Sequence, residues 1–331
     1  MDPGRREILR RVRAFADLGD DDCDAVLAVL KARRGNPGDV LFRQGERGDT
    51  LLVVLDGHLV AKVEKDGGGA EEVARLGPGE VVGEMAFVDA EARSATVSAP
   101  AGATVLEFSR DVLASLRAAR PRAAASIQRN VLVDVARRLR DAGEKLTDGA
   151  GGSSPNSLRG GPESLRRPAR ERTAEQLRTI PTLASYTAED RELLAYIAVL
   201  RTFAAGEMIM KEGTVGDACW VLLGGEVAVQ RATQVTPIAT LGPGALVGQL
   251  ALLDRTPRSA TVTATADTAT LEVRADAFTN LVRASSPVAL RFQWQVALAG
   301  VRQLRAATQR LAANASRESL ELAIDPRSPR R

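Results

Sequence analysis

The sequence predicts an α+β protein built from two tandem copies of one unit, each a small barrel or jelly roll flanked by helices and closed by a long one. Three observations lead there. Residues 38–57, GDVLFRQGERGDTLLVVLDG, align without a gap on residues 206–225, GEMIMKEGTVGDACWVLLGG, and self-similarity at that distance marks a duplication. Within each copy, short runs with two-residue alternation are separated by glycine turns, the pattern of many short antiparallel strands. Each copy then ends on a long stretch of helical period.

Taken in chain order, helical patterning opens the first copy at residues 5–32 and the second at 173–200, and the strand-and-turn stretch follows. GPGEVVGEMA at 77–86 matches GPGALVGQLA at 242–251 with a shorter spacing in the second copy, and the lost residues fall near the turn after Lys65, where DGGG lengthens a hairpin loop. In the closing helices, Leu132, Val135, Leu139, Ala142 and Leu146 form an apolar seam. Leu290, Trp294, Ala297, Val301, Leu304 and Leu311 form another, interrupted by Thr308. Seams of this spacing call for a coiled-coil-like contact between helices, across a homodimer, which is preferred, or between the two halves of one chain. The stretch at 147–170, TDGAGGSSPNSLRGGPESLRRPAR, has almost nothing to bury and reads as a flexible linker. The boundaries are therefore 1–146 for the first domain, 147–172 for the linker, 173–314 for the second domain and 315–331 for a polar tail.

Composition agrees. A chain of 331 residues with 44% hydrophobic side chains has enough to bury two cores. Forty-five basic against forty-two acidic residues leave only +3, too little to draw nucleic acid or an anionic membrane as a uniform field. Cys23 and Cys219 sit in separate copies without metal spacing and read as small buried apolar residues of a reducing compartment. No segment reaches the length of a membrane span or signal core, so the expectation is a soluble, cytoplasmic protein.

The chemistry concentrates in GEMAFVDAEARSATV at 83–97, repeated as GQLALLDRTPRSATV at 248–262. The copies share Gly, Ala, Asp and the run Arg-Ser-Ala-Thr-Val. A glycine opening a short helix brings free backbone N–H groups to one point, and an arginine returning there supplies a planar fork of donors for two phosphate oxygens. A carboxylate at the turn accepts from sugar hydroxyls. Together Glu84 and Arg93 suit a ribose phosphate. In a lone copy, a solvated arginine and a turn-capping glutamate would explain the residues as well; repetition of the whole cassette favours the binding reading.

These residues resemble the phosphate-binding cassette of the cyclic nucleotide-binding domain family, which includes bacterial cyclic-AMP receptor proteins and the regulatory subunits of cyclic-AMP-dependent protein kinase. The resemblance extends over nearly the whole chain and implies an eight-stranded β-roll in each copy. It implies that Glu84 binds the ribose 2′-hydroxyl and Arg93 the cyclic phosphate. Gly83, Ala86 and Ser94 would help through backbone or hydroxyl donors, with Met85 and Ala95 in the same segment. In the second copy Gly248, Leu250, Ala251, Arg258, Ser259 and Ala260 stand at matching places, but Gln249 replaces the glutamate. Its amide oxygen still accepts a hydrogen bond, without charge assistance, at a loss of about 1–2 kcal/mol. A weakened second site and a purely structural copy both stay open. Where the resembling receptors place hydroxyls on adenine, this chain has Ala142 and Gly143, and Ala307 and Thr308, so base preference is not settled by resemblance. Cyclic AMP is the favoured ligand and cyclic GMP the other candidate; no cofactor or metal is implied.

Three function classes follow. A nucleotide receptor that regulates a protein effector by moving its helices ranks first. A scaffold whose rolls no longer bind nucleotide is second. A nucleic-acid binder, resting on Arg159, Arg166, Arg167, Arg170 and Arg172 of the linker, is third. His58 has no acidic or thiol neighbour in sequence, and no nucleophile elbow, metal cluster or Walker loop occurs, so the chain reads as no enzyme.

Overall fold

The computed structural model describes residues 3–64, 68–147, 177–178, 187–234 and 236–324. The turn after Lys65, the linker arginines and the end of the tail lie outside the described residues. The chain divides into two compact units: one takes the residues up to Val131 together with those from Val301 onward, the other Leu132–Gly300.

In the first unit α1 (Pro3–Arg11) and α2 (Asp20–Val29) precede eight strands, β1 (Lys31–Gly35), β2 (Asp39–Phe42), β3 (Thr50–Gly57), β4 (Leu59–Glu64), β5 (Ala70–Leu76), β6 (Val81–Val82), β7 (Thr96–Ala99) and β8 (Ala103–Ser109). They form two antiparallel four-stranded sheets, ordered β1-β8-β3-β6 and β2-β7-β4-β5. Leu41, Phe42, Leu52, Val54, Leu59 and Val97 belong to the buried core of this roll. The apolar run of β3 is nearly continuous because its other face is covered too. Leu51 and Val53 are fully buried, and Phe108 of β8 packs its ring 5.9 Å from Phe15 and 5.7 Å from Phe87. Three helices follow or interrupt the strands: α3 (Glu84–Asp89), α4 (Arg110–Ala119) and α5 (Pro121–Thr147). Ser109 caps α4 by accepting from the Val112 amide at 3.3 Å.

The second unit repeats the plan. After α6 (Ala188–Ile197) come β9 (Ala198–Phe203), β10 (Met208–Met210), β11 (Ala218–Gly224), β12 (Val227–Gln230), β13 (Ala239–Leu241), β14 (Leu246–Val247), β15 (Thr261–Ala264) and β16 (Thr268–Arg274). Their sheet orders, β9-β16-β11-β14 and β10-β15-β12-β13, are those of the first roll. Even a cross-strand ion pair is kept: Arg33–Glu107 at 3.3 Å in the first copy, Arg201–Glu272 at 2.7 Å in the second. The helices here are α7 (Gln249–Asp254), α8 (Ala275–Arg283) and α9 (Pro287–Ile324).

Several boundaries differ from the sequence reading. Helical pattern was expected to 200, yet the helix stops at Ile197 and the chain from Ala198 pairs with β16, Leu200 facing Leu271. A partner strand decides the state of a short apolar run that periodicity alone leaves ambiguous. The last helix continues through Ile324, past the expected start of a tail at 315. The closing helices also cross the sequence-defined domains: α5 from Leu132 belongs to the second unit, and α9 from Val301 to the first.

Most described seam residues are buried within this chain, and the side chains of Leu146 and Leu311 lie outside the described residues. Leu132, Val135, Ala142, Leu290, Ala297, Val301 and Leu304 are all inaccessible to solvent or nearly so, while Leu139 and Trp294 are half-buried. In the second unit α5 meets α9 closely, since a Cβ on Gly300 would lie 3.0 Å from Val135 Cγ1. Within the second unit α5 and α9 therefore pair inside one chain, one of the two arrangements the seams call for. Both cysteines are buried free thiols, and burial pushes Cys219 up to about 12. Among the described residues no helix is long and apolar enough to cross a membrane.

Candidate functional site

The two cassettes are built alike. Gly83 and Gly248 cap α3 and α7 in the left-handed region, with φ of 86° and 82°, where a side chain is strained. The space is also filled: a Cβ on Gly83 would meet Arg93 Nη1 at 2.7 Å and Phe42 Cε2 at 2.8 Å. Each glycine lets its cassette helix begin against the roll interior, beside the arginine of the segment leading into β7 or β15.

In the first cassette Glu84 and Arg93 are 3% and 5% exposed. The Arg93 Nη1 donates to the Thr50 carbonyl at 2.7 Å and the Gly83 carbonyl at 3.2 Å, and Nη2 donates to Thr50 Oγ1 at 3.0 Å. The guanidinium carbon lies 3.5 Å from the centre of the Phe42 ring, a stacked cation–π contact. A guanidinium has five N–H donors. These bonds leave Nε and one hydrogen of Nη2, which share an edge, without a protein acceptor among the described residues. Gly48 packs over the guanidinium beside that edge, where a Cβ would sit 2.4–2.6 Å from Nη2, Nε and Cζ. The glycine at 48 therefore keeps open a pair of parallel donors of the kind a phosphate takes. Burial pulls Arg93 below the usual arginine range, opposed by the charges of Asp49, Glu84 and Glu46. Met85 and Ala86 are buried, Ser94 Oγ donates to Met85 Sδ at 3.3 Å, and Ala95 packs against the roll core.

The second cassette departs in its charges. Gln249 and Arg258 are 2% and 3% exposed. Arg258 Nη1 donates to the Gly248 carbonyl at 2.7 Å; Nη2 donates to the Ala218 carbonyl at 2.7 Å and to Asp217 Oδ1 at 3.4 Å. Both hydrogens of Nη2 are thus engaged. Burial again lowers the arginine, with Asp217 opposing. Trp220 supplies the aromatic face, its ring centre 5.2 Å from the guanidinium carbon. Ala251 and Ala260 are buried, Leu250 and Ser259 half-buried.

The structure thus brings together Gly83, Glu84 and Arg93, and Gly248, Gln249 and Arg258. Thr308 lies in the part of α9 that belongs to the first unit, and its hydroxyl donates to its own helix at the Leu304 carbonyl, 2.9 Å away. Sequence reasoning missed Phe42, Gly48, Asp49 and Thr50, and Gly216, Asp217 and Trp220. The signal for four of them was present in the Gly-Asp pair repeated at 48–49 and 216–217.

Fold and cassettes define a chain of two tandem β-rolls, each with a buried arginine beside a left-handed glycine. The family model of the cyclic nucleotide-binding domain matches residues 32–120 and again 200–285, and the chain belongs to that family. It is 26% identical over 250 residues to the cAMP-dependent protein kinase regulatory subunit of Yarrowia lipolytica, covering 76% of this chain and 53% of that protein. To the cyclic AMP receptor protein of Thermus thermophilus it is 32% identical over 133 residues, covering 40% of this chain and 59% of that one. The chain spans about half the length of the curated relatives it matches. Among solved structures, the regulatory domain of Toxoplasma gondii PKA with cAMP aligns over 97% of this chain and 98% of that chain at 19% identity, with a TM-score of 0.33.

Proposed function

We propose that the chain is a cyclic nucleotide receptor, with cyclic AMP its preferred ligand, acting on a protein effector as a regulatory or adaptor protein through ligand-dependent movement of its closing helices. The observation that carries the reading is the Arg93 fork: a buried guanidinium, anchored on backbone carbonyls, with two donors on one edge that Gly48 leaves uncovered. In this reading Arg93 takes the cyclic phosphate, Glu84 the ribose 2′-hydroxyl, and Ser94 and the start of α3 complete the cradle. Arg258, Gln249 and Ser259 do the same in the second roll with less charge. The names of the relatives from Yarrowia and Thermus support cyclic AMP as the ligand. Helix movement is supported by connectivity, since α5 and α9 each run from one unit into the other.

The scaffold reading draws support from one copy only, where Gln249 is neutral and both hydrogens of Arg258 Nη2 are taken. Calorimetric titration of cyclic AMP and cyclic GMP into the full chain separates the two. Saturable cyclic-AMP binding that Arg93→Ala weakens supports the receptor; no binding of either nucleotide leaves the scaffold.

A further inference from the structure

An arginine at the same place in each closing helix grips the cassette of the opposite repeat. Arg305 stands on the part of α9 that belongs to the first unit. Its Nε and Nη2 donate to Asp89 Oδ2 at 3.0 and 2.8 Å, and its Nη1 donates to the Ala92 carbonyl at 2.9 Å. Asp89 ends α3, and its side chain is only 3% exposed. Ala92 immediately precedes Arg93. Arg140, on the part of α5 that belongs to the second unit, repeats the pattern. Its Nε and Nη2 donate to Asp254 Oδ2 at 3.1 and 2.9 Å, and its Nη1 to the Pro257 carbonyl at 3.4 Å. Asp254 ends α7, and Pro257 immediately precedes Arg258.

Between each gripped aspartate and each gripped carbonyl lie two residues, the first of them in the left-handed region: Ala90 at φ 62° and Arg255 at φ 56°. A residue with a Cβ holds that conformation at a cost and keeps it only where surrounding contacts over-determine it. The arginine fastens the link at both ends, with three charge-assisted bonds from a single rigid fork.

We propose that Arg305 and Arg140 are positioning residues for Arg93 and Arg258, each setting the phosphate arginine of the repeat to which it does not belong in sequence. The inference rests on the nucleotide reading of the cassettes and adds that each site is completed by the other copy's helix. Binding in one roll then bears on the helix that supports the other, which gives the two sites a physical route to influence each other. The first grip, with shorter bonds and a more deeply buried aspartate, is the stronger.

Two measurements on the full chain test it. Without nucleotide, amide hydrogen exchange should quicken at 84–93 in Arg305→Ala and at 249–258 in Arg140→Ala. With cyclic AMP, the first site is read in an Arg258→Ala background and the second in an Arg93→Ala background. Arg305→Ala should weaken the first site about tenfold and Arg140→Ala the second about threefold. Arg305→Lys, which keeps charge without the fork, should recover part of the loss, and Asp89→Asn added to Arg305→Ala should weaken binding no further. The proposal is overturned if each variant disturbs the cassette of its own repeat, if the Asp89 and Arg305 effects add, or if thermal stability falls while exchange and affinity stay as they were. Should the crossed exchange pattern appear in a chain that binds no cyclic nucleotide, the grip stands and the nucleotide reading falls.

Discussion

The two cassettes keep one feature by different means and give up another. Phe42 on β2 supports Arg93, but the matching residue in the second copy is Met210. The aromatic returns at Trp220 on β11, where the first copy has Leu52. Both rings end against the cassette glycine: a Cβ on Gly83 would lie 2.8 Å from Phe42 Cε2, and one on Gly248 3.1 Å from Trp220 Cζ3. The ring has changed strand and sheet while keeping its place in space. What packing holds constant is therefore an apolar wall beside the guanidinium, from whichever strand can supply it. The charges are not kept. Glu84 and Glu46 become Gln249 and Thr214, so three carboxylates act on Arg93 and one on Arg258.

These changes push binding in opposite directions. Losing Glu84 removes a charge-assisted contact to a ribose hydroxyl, about 1–2 kcal/mol. Losing Glu84 and Glu46 also removes carboxylate competition for the arginine, but Arg258 still bonds Asp217 and both hydrogens of its Nη2 are taken. The first site should therefore bind more tightly than the second.

The largest expected effect tests the exchanged ring. Trp220→Leu should destabilise the second unit by about 2–3 kcal/mol through the cavity it leaves, and Met210→Phe alone by about 1–2 kcal/mol through overpacking. The double variant, which rebuilds the first copy's arrangement, should recover at least about 1 kcal/mol of their sum in urea unfolding. Strict additivity would mean that the two rings do not share a place. Next comes the fork. Arg93→Ala should cost the first site at least about 2 kcal/mol, or about thirtyfold in cyclic-AMP affinity by calorimetry, and unchanged first-site binding would sink the assignment. Gln249→Glu should tighten the second site about tenfold and narrow the difference between the two. A wild-type second site tighter than the first would show that the freed arginine outweighs the ribose contact. The smallest effect belongs to Asp217→Asn, which removes the charge behind one long bond from Arg258 Nη2 and should raise second-site affinity no more than about threefold.

Much of the binding cassette was legible because its parts are local. Gly83, Glu84 and Arg93 lie within one short stretch, and the second copy repeats the spacing. Phe42, Gly48 and Thr50 were harder to see, because they come from β2, β3 and the connection between them, and their part is to support or leave room for the arginine. Sequence order groups Thr308 with the second roll, whereas the course of α9 carries it into the first unit.

Duplication, roll architecture and the pairing of glycine with arginine are properties of pattern, and alternation, turn chemistry and repeat spacing suffice to write them into the chain. The path of the closing helices is not. A seam of Leu, Val and Ala is equally content against a second copy or against the other half of its own chain, because burial of apolar surface has no direction. In the tertiary structure Leu132, Val135, Ala142, Leu290, Ala297, Val301 and Leu304 are covered within one chain, and Arg140 and Arg305 sit on the aspartates of the opposite repeats. Charge-assisted bonds with fixed geometry supply the specificity that hydrophobic contact lacks.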